Sequence, residues 1–122
     1  MSDAAPASAS RAVLRTARAL AAVVGAVMAA ALTYGFTAGD FFADGGRLID
    51  NPWGVVTLVE VYVGYAILAV WMVYREPSAL SGVLWVIALM LIGHLVSAVY
   101  LLRAAATAKG DLHVFWNGRR QA

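Results

Sequence analysis

Three apolar runs dominate the chain, at about residues 19–38, 52–74 and 79–102, and short stretches rich in glycine, proline and charge separate them. Each run is long enough for a helix at 1.5 Å per residue to cross a hydrocarbon core of about 30 Å. The pattern predicts an all-α integral membrane protein with three transmembrane helices. Residues 1–18 read as a disordered N-terminal segment that turns basic at Arg11, Arg15 and Arg18, and 105–122 as a polar basic tail. The three-helix domain occupies 19–104. A basic segment followed by an alanine-rich run also fits a cleaved signal peptide. The run continues through Leu32, Tyr34 and Phe36, beyond the usual signal core, which favours an uncleaved helix.

The breaks between runs carry their own signals. Residues 39–51, GDFFADGGRLIDN, read as a loop from their glycine and aspartate content, with Phe41 and Phe42 dipping into the interface. Asn51-Pro52 starts the second helix, Asn as N-cap and Pro at the first helical position, with Trp53 at headgroup level. The REPSA link at 75–79 is too short for anything but a tight turn, Pro77 breaks the chain, and Ser78 or Ser81 caps the next helix. The second and third helices are therefore expected to form a tight antiparallel hairpin. In the tail, Phe115 and Trp116 beside Arg119 and Arg120 suit an interfacial anchor. Ala21, Gly25 and Ala29, and Gly93 with Ser97, form small-residue rows that let helix backbones approach in lipid.

Composition agrees with this picture. Of 122 residues, 62% are hydrophobic and 13% charged, against about 45–50% and about 25% in soluble domains. The absence of cysteine excludes disulfides, thiolate metal sites and a catalytic thiol. The net charge of +2 is carried by basic residues flanking apolar runs, which points to a bilayer partner and away from nucleic acid. Three spans would put four basic residues (Arg11, Arg15, Arg18, Arg75) on one face and five (Arg47, Arg103, Lys109, Arg119, Arg120) on the other. With so near a tie, the positive-inside rule does not fix the orientation. The expected location is the cell membrane, as a multi-pass protein.

One acid interrupts the second run. Glu60 lies about 10 Å below the interface marked by Trp53, and His94 about 12 Å below the same interface on the third run. Thr57 and Ser97 stand one turn from them, and Thr33, Tyr34 and Thr37 lie in the same half of the first run. A desolvated carboxylate must find a partner or take a proton. Glu60, His94, Thr57 and Ser97 are thus the candidate polar site. One reading makes it glue that fixes helix register; the other makes it a proton or cation site in an oligomeric small transporter.

No nucleophile, base and orienting acid share one depth, no phosphate-binding loop follows a strand, and lipidation signals are missing. His94 and His113 lack metal-site spacing. The expectation is a non-enzyme without metal or cofactor, and Tyr62, Tyr65, Trp71, Tyr74, Trp85 and Tyr100 serve packing or interfacial belts. The expected role is that of an accessory or structural protein acting through helix contacts, with itself or with a larger membrane complex.

Residues 52–100 add a resemblance. Pro52-Trp53, Thr57-Leu58, Glu60 and Tyr62, followed by Trp71, Tyr74, Glu76, Ser78, Trp85, Gly93 and Tyr100, resemble a family of small multi-helix membrane proteins of bacteria and plants whose function is not established. The resemblance implies a membrane protein and no activity, and its pattern includes an acid near Glu60 but does not require histidine at the His94 position.

Overall fold

The computed structural model describes residues 7–118, which are all-helical and strand-free. In chain order the helices are α1 (Ala7–Ala38), α2 (Phe41–Asp50), α3 (Pro52–Arg75), α4 (Ala79–Ile92), α5 (His94–Thr107) and α6 (Leu112–Asn117). α1 begins at Ala7, twelve residues before the expected start, so residues 7–18 are helical where disorder was expected; residues 1–6 lie outside the described residues. The extension is held by packing. Leu14, 3% exposed, meets Ala104, Ala105, Ala108 and Phe115, and Arg18 Nη2 donates to the Ala105 carbonyl at 3.2 Å near the end of α5.

The expected 39–51 loop is α2. Asp40 caps it by accepting from Ala43 N at 3.1 Å, and Asp44 accepts from Asp40 N at 2.9 Å. These two carboxylates satisfy amides that would otherwise be orphaned at a helix start, which offsets the weak helix preference of Gly45-Gly46. Phe36 stacks on Phe41 at 6.2 Å, and Phe42 meets Phe41 edge-on. α3 starts as expected, the Asn51 side chain accepting from Trp53 N at 2.9 Å, and Ser78 rather than Ser81 caps α4.

The largest departure is in the third run. The expected continuous helix over 79–102 is broken at Gly93, whose φ of 87° and ψ of −148° end α4 and start α5. Only glycine adopts this left-handed backbone without strain. The chain also folds back there. Trp85 and Tyr100 would be about 22 Å apart along one straight helix, yet their rings are 4.9 Å apart. Tyr65 closes over the bend: a Cβ on Gly93 would come within 2.7 Å of its hydroxyl. Gly93 is therefore a turn, not the packing position expected from its spacing to Ser97.

Two close approaches fix the rest. A Cβ on Gly25 would lie 3.4 Å from Ala98 Cβ, so the Ala21–Gly25 row seats α1 on α5, with Ala21 only 1% exposed. A Cβ on Gly82 would lie 3.2 Å from Val73 Cα, which sets α4 on α3. Because α5 runs back toward the start of α4, Leu14, Arg75, Ala108 and Phe115 come to one end of the molecule. The expectation of chain ends on opposite faces does not hold for the described residues. α1 and α3 are long and apolar enough to cross a membrane, and only 6% and 11% of their most apolar windows are buried within the protein.

Candidate functional site

The four residues expected to form one polar site do not meet. Glu60 is exposed, and its side chain has no hydrogen bond or ion pair among the described residues. Thr57 Oγ1 donates back to the Trp53 carbonyl of its own helix at 2.9 Å. His94 Nδ1 lies 3.0 Å from Ser97 Oγ, and its ring packs edge-on against Tyr65 at 4.9 Å. His94 and Ser97 are thus paired, but within the first turn of α5 and not with Glu60. Among the expected anchors, Trp53 and Trp116 are exposed, while Arg119 and Arg120 lie outside the described residues.

The built polar site is at the other end of α3. Arg75 and Glu76, placed by the sequence reading in the link and not in the polar site, are 6% and 2% exposed. Glu76 Oε1 accepts from Arg103 Nη1 at 3.0 Å, and Oε2 accepts from Ser81 Oγ at 3.0 Å. Arg75 Nε donates to the Phe115 carbonyl at 2.7 Å, Nη1 to Tyr100 Oη at 3.1 Å and Nη2 to the Val114 carbonyl at 3.4 Å. Its guanidinium also lies against the rings of Trp71 and Tyr100, at 5.6 and 5.4 Å. Arg103 stands over Trp85 at 5.6 Å.

Local structure explains the assembly. The last carbonyls of a helix have no intrahelical donor and carry the negative end of its dipole. α6 turns its end toward α3, where Arg75 takes the Phe115 carbonyl and shares that of Val114 with Gly118 N, and Trp71 Nε1 takes that of Trp116 at 3.0 Å. Tyr74 Oη donates to Asn117 Oδ1 at 2.7 Å, and Gly118, at φ 74°, leaves the Arg75 backbone room that a Cβ would occupy. The turn into α4 places Glu76 under the end of α5, in reach of Arg103.

Among the described residues, no buried side-chain nitrogen or oxygen lacks a partner. A buried charge is costly unless paired and hydrogen-bonded, and here both buried charges are. Such a network holds four helices in register; it offers no free base or nucleophile. Among the same residues, no three His, Asp or Glu side chains gather as metal ligands. Sequence reasoning missed the site because Arg75 and Glu76 look like solvated turn residues. The available signal was the pairing of Trp71, Tyr74, Arg75 and Glu76 before the turn with Trp85, Tyr100 and Arg103 after it.

A family model for a protein of unknown function, DUF1475, matches residues 6–110. The chain belongs to that family. The matched segment holds Glu60, Arg75, Glu76, Tyr100 and Arg103 and stops short of α6. No curated protein and no solved structure matches the chain.

Proposed function

We propose that this member of the DUF1475 family is a small multi-pass protein of the cell membrane that works as an accessory helix-contact protein and not as an enzyme. α1 and α3 serve as the full spans. α4 and α5, each about 21 Å long, are too short for a core of about 30 Å. They form a re-entrant hairpin that rises beside α3 to Gly93 and returns. Buried backbone at the bend is tolerated because protein covers it, here the Tyr65 ring. α2, with Phe41 and Phe42 outward, lies along the opposite interface.

This arrangement replaces the near tie in basic residues. Arg11, Arg15, Arg18, Arg75, Arg103 and Lys109 share one end, and Arg47 stands at the other. The basic end therefore faces the cytoplasm.

The observation that carries the contact reading is Glu60. Its carboxylate stands exposed on a spanning helix, with Val56, Val59 and Val63 exposed around it. An unpaired acid in hydrocarbon is costly, so a second helix, from another copy or a larger complex, supplies its partner. The transporter alternative loses its proposed relay, because His94 pairs with Ser97 and Tyr65.

A photocrosslinking residue at Val63, one turn from Glu60, tests this in native membranes. An adduct is expected there, at twice the chain mass or at that of a larger partner, and none from Leu84 on α4. Absence of any Val63 adduct would count against the contact face. Reporter fusions at each terminus check the orientation, both being expected on the cytoplasmic side.

A further inference from the structure

A second charged region lies beside the Arg75 network and takes no part in it. Arg11, Arg15 and Arg18 follow one flank of α1 at helical spacing, and Lys109 and Gly110 close over them from the turn after α5. Together with Leu14 they line a recess of about 310 Å³. Like charges one turn apart destabilise a helix, and α1 carries no Asp or Glu in its described length. The nearest acid in sequence, Asp111, is committed to capping α6, accepting from His113 N at 2.9 Å. Arg18 is committed to the Ala105 carbonyl. Arg11, Arg15 and Lys109 are exposed, and their side chains have no hydrogen bond or ion pair among the described residues.

Three unspent cations converging on one recess fit an anion with several acceptor oxygens. Its position narrows the source: the recess opens at the end where the apolar length of α1 begins, and Leu14 in its lining packs on Phe115. We infer that this recess binds the phosphate of an anionic phospholipid headgroup in the leaflet facing the basic end. Arg11, Arg15 and Lys109 hold the phosphodiester, and the apolar length of α1 beyond Arg18 lies beside the acyl chains. Basic pockets at the cytoplasmic ends of membrane helices suit this chemistry. The turn that brings Lys109 and Gly110 to the recess is left-handed at both residues, φ 52° and φ 85°.

The site rests on the membrane reading above. Full-length protein in neutral detergent, stripped of lipid, is titrated with dioctanoyl phosphatidylglycerol or dioctanoyl phosphatidylcholine, and bound lipid is counted by native mass spectrometry. Phosphatidylglycerol should be retained at least tenfold more tightly, by about five-fold per engaged cation. The triple change Arg11→Gln, Arg15→Gln, Lys109→Gln should erase the preference, Lys109→Gln alone should weaken it about five-fold, and Arg47→Gln should leave it intact. Equal retention of the two lipids, or a triple variant that keeps the preference, overturns the site. Displacement of phosphatidylglycerol by equimolar inorganic phosphate also overturns it, since that marks a free-anion site. Alkaline carbonate washing of membranes separates the two failures. A chain that stays in the pellet but shows no preference loses only the headgroup site, whereas a released chain loses the membrane reading itself.

Discussion

The two ends of α3 treat charge in opposite ways. At the Arg75 end, two ionised side chains are almost fully buried, and each is held by partners from other helices. At the Pro52 end, Glu60 is exposed and its carboxylate has no partner among the described residues, although it stands in a stretch just as apolar. The first region is finished within one chain; the second is not, among the described residues. A polar group in an apolar segment is thus not one kind of signal. Its meaning depends on whether the chain itself supplies the matching donors.

Perturbations that sharpen this contrast should rank by how many partners each one strands. Arg75→Leu removes two charged hydrogen bonds to α6 and one to Tyr100, and should cost about 3–5 kcal/mol, the loss typical of breaking a buried charged contact. Reversible unfolding in mixed micelles measures it, and hydrogen exchange should rise first across 112–118. An unchanged midpoint would mean that α6 is not docked by Arg75.

Gly93→Ala comes next, at about 1–3 kcal/mol, because a side chain at φ 87° is strained and its Cβ meets the Tyr65 hydroxyl. Pairing it with Tyr65→Phe relieves the contact but not the backbone strain, so a double-mutant cycle should recover only part of the loss. Full recovery would show that the bend tolerates a Cβ. His94→Ala should cost about 0.5–1.5 kcal/mol, the worth of one ordinary hydrogen bond, and should not alter the effect of Glu60→Gln. Coupling between those two changes would restore the pair that the geometry separates.

Glu60→Gln should be the smallest effect on the isolated chain, within about 0.5 kcal/mol as for surface positions without partners. The same change should lower the Val63 crosslinking yield in membranes. A large loss of stability in the isolated chain would place Glu60 among the structural groups instead.

The ordering of effects follows what was legible in advance and what was not. Helical class, the apolar spans at α1 and α3, the Asn51-Pro52 start and a serine cap at Ser78 or Ser81 could be read directly, because periodicity, apolar length and capping depend on residues close in sequence. α2 was hidden because its capping carboxylates, Asp40 and Asp44, are also loop formers, and only their mutual hydrogen bonding reveals the helix. The bend at Gly93 was hidden because a glycine in an apolar run reads equally as a packing position.

From the sequence alone, then, came the helical class and the two helices, α1 and α3, that are long and apolar enough to cross a membrane, because apolar length is set by residues adjacent in sequence. Only the tertiary structure decided that the third run returns on itself at Gly93. That one backbone turn brings Arg103 to Glu76, sets Tyr100 against Arg75 and gathers Arg75, Arg103 and Lys109 with the arginines of α1 at a single end. A pairing between residues 25 or more positions apart leaves no local mark. It arises from the energy of completing buried charges, and that energy exists only once the chain has folded.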